Sequence, residues 1–274
     1  MMDLKFNVRR VNKVNQALAN NQMALGTWVQ MNSPEIVEII GNQGYDFVII
    51  DMEHGNFGIE SVVHMIRAAE ASGVTPIVRV PHIEPSLIGQ VLEAGAMGVA
   101  VPGISTKYEA EQSVEAAKSA PLGNRGACPW VRASGHCISM SESPRYLQWV
   151  NEETSVWLLV EGAEGVANFD EIISVPNVSV ILLGIFDLSL SLGIPGQFDH
   201  PKFIKAHKEM IAKAREKNIT LGGIAFYDID PEIMKKAAAE WKSAGGQILT
   251  IGGDRPIMAI GLAHGLKSFK EGLL

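Results

Sequence analysis

Short apolar runs that end in charge recur along this chain, with helix-like segments between them. Asp46–Asp51 reads DFVIID and opens into Met52-Glu53-His54, Val156–Glu161 reads VWLLVE, Ser179–Asp187 reads SVILLGIFD, and Thr75–Arg79 reads TPIVR. Apolar runs of this length, bounded by Gly and Pro, fit strands buried on both faces. A charge on the last residue costs stability unless something pairs with it. In a barrel of parallel strands those ends converge on one rim, where active sites sit. The pattern predicts two carboxylates, a His beside an Asp, and an Arg in one mouth.

The alternation runs through the whole chain. Strands are expected at Ala24–Gln30, Asp46–Asp51, Thr75–Val80, Gly98–Pro102, Val156–Glu161, Ser179–Gly184, Thr220–Ala225 and Gln247–Ile251. Helices are expected between them, among them Pro34–Asn42 behind an N-cap at Ser33, Ile59–Ser72 ahead of Gly73, Pro85–Ala94, Thr106–Ser119, Gly165–Ser174 and a closing Asp254–Phe269. Eight strands alternating with helices favour a closed (β/α)8 barrel over a doubly wound sheet. A barrel of this kind needs roughly 250 residues, so residues 1–274 are read as one domain. Gly126–Ser143, rich in Gly and Pro and holding both cysteines, is expected to be a long functional loop, a lid or pocket wall.

Composition removes several classes. The net charge is −7 and no Lys/Arg cluster stands out, which argues against nucleic acid as the main partner. No apolar run approaches the ~20 residues of a membrane span, and the start lacks a signal-peptide core. Cys128 and Cys137 match no zinc spacing and are read as free thiols of a cytoplasmic protein. There is no GxGxxG after the first strand, no GxxxxGK[ST], no GxSxG elbow and no HExxH.

The charged ends carry the chemistry. Glu161 and Asp187, with no Cys near, suit a hard divalent cation that keeps waters and binds substrate; alternatively each caps a helix or pairs with a surface base. Asp51 beside His54 is the setting of a general base, with Glu53 as a competing partner and a plain loop hydrogen bond as the ordinary alternative. Arg79, flanked by Val78 and Val80, needs a partner because its charge cannot be lost; a substrate oxygen, Asp51 and Glu93 all qualify. Gly123-Asn124-Arg125-Gly126 is either an anion-holding turn or a structural one. Trp28 either lines the mouth or packs in the core. The remaining histidines show no paired ligand spacing.

Taken together, LGTWVQMNSPEIVEIIGNQGYDFVIIDMEHG, PIVRVPHIEP, VLEAGAMGVAVPGI, PLGNRG, GIFDLSLSLGIPGQFDHP and ILTIGGD resemble, in that order, the HpcH/HpaI family of metal-dependent class II aldolases acting on 4-hydroxy-2-oxo acids. The resemblance spans Leu25 to Asp254. It implies a (β/α)8 barrel whose eighth helix packs on a partner subunit, in a homo-oligomer built as a trimer of dimers. It assigns the metal-binding pair to Glu161 and Asp187, with Mg²⁺ or Mn²⁺ expected and Co²⁺ compatible. It assigns the catalytic His to His54 with its supporting Asp at Asp51, the enolate-steadying Arg to Arg79, and the acid after the next helix to Glu93. The implied reaction is reversible cleavage to pyruvate and an aldehyde; oxaloacetate decarboxylation or another enolate-forming step is the alternative on the same residues.

Departures from the family pattern fall at the substrate. The Pro usual before the metal-binding Asp is replaced in Gly184-Ile185-Phe186-Asp187, which puts a bulky ring at Phe186. A Gln found in some relatives two residues before the metal-binding Glu is Leu159, and the residue after that Glu is Gly162. A larger or less polar substrate is the expectation these changes raise.

Overall fold

The computed structural model describes residues 5–7 and 10–273. Eight parallel strands close on themselves in sequence order: β1 (Ala24–Val29), β2 (Phe47–Asp51), β3 (Thr75–Arg79), β4 (Gly98–Val101), β5 (Ser155–Val160), β6 (Val180–Leu183), β7 (Leu221–Ala225) and β8 (Ile248–Gly253). Closure is made by Ala24 of β1 pairing with Ile248 of β8. The (β/α)8 barrel expected from the alternation is the observed fold.

Among the described residues twelve α-helices accompany the strands. α1 (Lys13–Ala19) precedes β1, and α2 (Pro34–Asn42), α3 (Ile59–Ser72), α4 (Pro85–Glu93) and α5 (Lys107–Ala117) follow β1 to β4. α6 (Ser143–Glu153) leads into β5; α7 (Ala163–Ala167) and α8 (Phe169–Ile172) follow it. α9 (Ile185–Ser191) and α10 (Pro201–Glu216) come after β6, α11 (Pro231–Ser243) after β7, and α12 (Asp254–Gly272) after β8.

Alternation along each strand divides the core into two shells. Val48, Ile50, Val78, Leu158 and Ile181 pack outward against the helices. Phe47, Ile49, Ile77, Trp157, Leu159 and Leu182 fill the barrel, with Phe47 and Trp157 edge to face at 5.1 Å. Val14 and Ala17 of α1 join this inner cluster. The same period-2 rule that turns Phe47 and Ile49 inward turns Asp51 inward, at the last position of β2.

Three expectations are corrected. The charged run at 179–187 does not end a strand in Asp187: β6 stops at Leu183, Gly184 begins a new segment, and Asp187 sits in the first turn of α9, where a helix N-terminus favours an anion. The helix expected over Gly165–Ser174 is two short helices divided at Asn168, whose Nδ2 donates to Ser105 O at 2.9 Å. Although Gly126, Ala127 and Cys128 form part of the wall of a cavity elsewhere, residues 126–143 are no lid over the strand C-termini. They connect α5 to α6 and β5, and a connection from helix to strand lies at the rim opposite the strand C-termini. There, Arg132 pairs with Glu70 and donates to Ala94 O at the end of α4, while Ala133 and Ile138 pack with Phe6 and Tyr146. Two 3-10 turns, Arg132–Ser134 and Met140–Glu142, give this segment some structure of its own. Of the two readings of Gly123–Gly126, the structural one is supported: the N–H groups of Asn124 and Arg125 donate to Glu115 O and Lys118 O.

α12 is unlike the other helices. Of its residues only Asp254 is buried. Met258, Leu262, Leu266 and Phe269 form an exposed apolar stripe at spacings of one helical turn, with Phe269 80 % exposed.

Candidate active site

Asp51 and Arg79 end adjacent strands in register. Arg79 Nε donates to Asp51 Oδ1 at 2.8 Å and Nη2 to Oδ2 at 2.6 Å, a bidentate pair with Asp51 0 % and Arg79 6 % exposed. Two further groups hold it. The guanidinium lies 4.4 Å from the centre of the Trp28 ring, a cation–π contact, while Trp28 Nε1 donates to Thr250 Oγ1 at 3.1 Å. Gln30 Nε2 donates to Asp51 Oδ2 at 2.9 Å. Trp28 is therefore both buried and part of the mouth, as its face carries the guanidinium.

Burial alone would raise the Asp51 carboxyl, but the hydrogen bonds and charge of Arg79, followed by Gln30 and the His54 N–H, hold it below the usual aspartate range. Glu53 stands 2.9 Å from Arg79 Nη1 as an ion pair whose geometry is not that of a hydrogen bond. Burial raises the Glu53 carboxyl more than the charges of Arg79 and His54 lower it.

His54 lies beside this pair, but not as the sequence suggests. Asp51 Oδ1 accepts the backbone N–H groups of Glu53 (3.1 Å) and His54 (3.2 Å), while the His54 ring is exposed and makes no hydrogen bond among the described residues. Asp51 orients the His54 backbone and clamps Arg79; it does not touch the imidazole. The D-x-E-H spacing carries the signal for this, since an Asp commonly accepts from backbone N–H groups two and three residues on.

Glu161 follows the last residue of β5, and its Oε1 accepts the Gly103 N–H at 2.7 Å. Burial pushes its carboxyl up to about 7; the Gly103 N–H opposes this, and the charges of Asp187 and Glu53 add to it. Gly184 makes room for it: a Cβ there would overlap Glu161 Oε2 and stand 2.5 Å from Glu161 Cβ. Asp187 is exposed at the head of α9, beside Phe186, which is 55 % exposed. Leu159 lies one layer below Glu161, inside the barrel and 1 % exposed. Glu53, Gly103 and Glu161 line, with His82, Ile83 and Glu109, a cavity of about 340 Å³.

Three carboxylates, Glu53, Glu161 and Asp187, thus share one field, and the cation facing them, Arg79, is committed to Asp51 and Glu53. Arg79 lowers the Glu161 carboxyl through its charge alone, and among the described residues neither Glu161 nor Asp187 forms an ion pair. Among the described residues no three His, Cys, Asp or Glu side chains form a ready-made metal cluster. A two-carboxylate set with open positions fits a hard divalent cation that keeps water and substrate in its shell.

Glu93 is not brought to this mouth. α4 starts above β3 and runs nine residues, about 13 Å at 1.5 Å per residue, to the far rim. Glu93 there lines a separate cavity of about 720 Å³ with Arg125 and Cys128. Arg79 has Asp51 and Glu53, not Glu93, as partners. Gln30 gives no site signal in the sequence, because a neutral amide one residue past an apolar strand is uninformative until the register is known.

A parallel barrel that gathers a clamped guanidinium and surplus carboxylates at its strand C-termini defines an enzyme of the TIM-barrel class. Its sequence narrows this further. The profile of the HpcH/HpaI aldolase/citrate lyase family matches residues 24–250, and the chain belongs to that family. It is 29 % identical over 260 residues to the 5-keto-4-deoxy-D-glucarate aldolase of Escherichia fergusonii, covering 95 % of this chain and 97 % of that one. Among solved structures it is similar to the HpcH/HpaI aldolase from Desulfitobacterium hafniense (27 % identity, TM-score 0.85, 94 % and 96 % of the two chains). It is also similar to the citrate synthase SbnG (29 % identity, TM-score 0.83, 94 % and 97 %).

Proposed function

We propose that this enzyme reversibly cleaves the C3–C4 bond of a 4-hydroxy-2-oxo acid of the 2-keto-3-deoxy sugar-acid type, giving pyruvate and an aldehyde. The observation that carries the reading is the buried Arg79 guanidinium, fixed by Asp51 and Trp28, beside the carboxylates Glu161 and Asp187, which share one field and form no ion pair among the described residues. The name of the Escherichia fergusonii relative supports the substrate type.

Each residue then has a task. Glu161 and Asp187 would hold a divalent cation, Mg²⁺ or Mn²⁺ with Co²⁺ also compatible, which would supply Lewis acidity. Arg79 spends two of its five N–H donors on Asp51 and has others to offer the oxygen at C2, where negative charge develops as the bond breaks. His54 takes the proton of the 4-hydroxyl as the C4–O bond becomes a carbonyl, and the C3–C4 electron pair passes into the C2–C3 enolate. A proton delivered to C3 completes pyruvate. Leu159 and Phe186 shape the space around the oxo acid and the aldehyde.

Resemblance to a citrate synthase supports a second reading, in which the same enolate forms by decarboxylation of oxaloacetate or attacks a different electrophile. Pyruvate release from a panel of 4-hydroxy-2-oxo acids, with and without chelator and with oxaloacetate alongside, separates the two. Turnover of oxaloacetate alone favours the second.

We also propose a homo-oligomer, a trimer of dimers in which α12 lies over a neighbour's barrel. The apolar stripe of α12 supports this, as does an open groove of about 590 Å³ lined by Ala17, Met23, Leu25 and Ala238. Light scattering tests it. Residues 1–274 are read as one catalytic unit acting in the cytoplasm, consistent with two free cysteines; among the described residues no helix is long and apolar enough to cross a membrane.

A further inference from the structure

The exposed His54 ring has no hydrogen-bond partner among the described residues, so its position is set through its backbone. That backbone is held from both sides. Its N–H donates to Asp51 Oδ1 at 3.2 Å, and its carbonyl accepts Arg255 Nη1 at 3.3 Å. Arg255 is the second residue of α12, and its Nη2 donates to Gln30 O at 2.9 Å. Gln30 is the residue whose side chain reaches Asp51.

Asp254, one residue earlier and 6 % exposed, fastens the same segment. Its Oδ2 accepts the N–H groups of Gln30 at 2.9 Å and Met31 at 2.8 Å, and its Oδ1 accepts the Arg255 N–H at 2.7 Å. The bonds form a closed ring from α12 to Gln30, to Asp51, to His54 and back to Arg255.

We infer that Arg255, braced by Asp254, is a positioning residue that fixes the His54 main chain and so places the imidazole over the reacting hydroxyl. The inference rests on the proposed role of His54 as base. Arg suits the task because one planar fork bonds two carbonyls at once; a Lys ammonium presents a single point charge.

The test compares wild type, Arg255→Met, Arg255→Lys and His54→Ala on two reactions. Aldol cleavage requires removal of the 4-hydroxyl proton; oxaloacetate decarboxylation reaches the same enolate with no hydroxyl proton to remove. In Arg255→Met the kcat of cleavage is expected to fall about tenfold or more, since small misplacements of a reacting group cost on that scale. Decarboxylation should stay within about twofold of wild type, and Arg255→Lys should fall between. NMR of the substrate-free protein should show the His54 ring resonances shifted or broadened in Arg255→Met. Parallel loss of both reactions in Arg255→Met and Arg255→Lys, or unchanged cleavage with unchanged His54 resonances, overturns the inference. If wild type performs neither reaction, the proposed function fails, and the NMR comparison alone decides the positioning role. Should Arg255→Met fold poorly, Arg255→Lys, which keeps charge and stem, carries the comparison.

Discussion

Arg79 and Asp51 face each other across adjacent strand ends and share two hydrogen bonds, of 2.8 and 2.6 Å, in a nearly water-free setting. The pair is structural and functional at once. It neutralises a buried charge, and it leaves Nη1 of the guanidinium 2.9 Å from Glu53, a residue that lines the mouth.

Removing one partner of a buried pair leaves the other uncompensated, typically at a cost of about 3–5 kcal/mol. Asp51→Asn should lie near the low end, because Glu53 still faces Arg79. Chemical denaturation at neutral pH measures it. The Asp51 carboxyl is held below its unfolded value, so its contribution is present above the ordinary aspartate range and lost as pH falls through the lower, folded value. Asp51→Asn should therefore flatten that part of the acid limb of stability against pH.

Glu161 runs the other way. Its carboxyl is raised to about 7, so in the metal-free protein its contribution is present below the unfolded glutamate value and declines as pH rises through about 7. A cation requires the ionised form. Thermal stabilisation by Mn²⁺ should be small at pH 6 and larger at pH 8, and Glu161→Gln should abolish the difference. Equal stabilisation at both pH values would contradict the assignment.

Gly184 tests the same carboxylate through space alone. Its φ of −81° is open to any residue, so Gly184→Ala strains no backbone; it collides with Glu161. Calorimetric titration should find metal binding about 10- to 100-fold weaker, with the fold kept by circular dichroism.

Leu159→Gln places an amide in the layer beneath Glu161, now apolar. If Leu159 tunes the site toward less polar oxo acids, the variant should bind pyruvate more tightly than wild type. Equal inhibition constants for pyruvate in the two proteins would remove Leu159 from the specificity account.

The sequence made the barrel legible because apolar runs alternating with helices leave few topologies open, and it made Asp51 and Arg79 legible as strand ends because period-2 alternation points them inward. It misled where direction mattered. Glu93 is close to Arg79 in sequence, but a helix carries it to the opposite rim, and residues 126–143 look like a lid only until their helix-to-strand connection is recognised. The run at 179–187 points to a strand end at Asp187, because an apolar run does not reveal that Gly184 breaks it. Gln30, Asp254 and Arg255 were not legible as a group, since the ring joining them spans more than two hundred residues and depends on barrel closure between β1 and β8.

The most direct test of an enolate-forming site needs no aldehyde. Pyruvate in D₂O with the enzyme and Mg²⁺ or Mn²⁺ should exchange its methyl protons for deuterium, followed by proton NMR. Exchange should cease with chelator and in Glu161→Gln. No exchange above background from the folded, metal-supplemented wild type at saturating pyruvate would contradict the account.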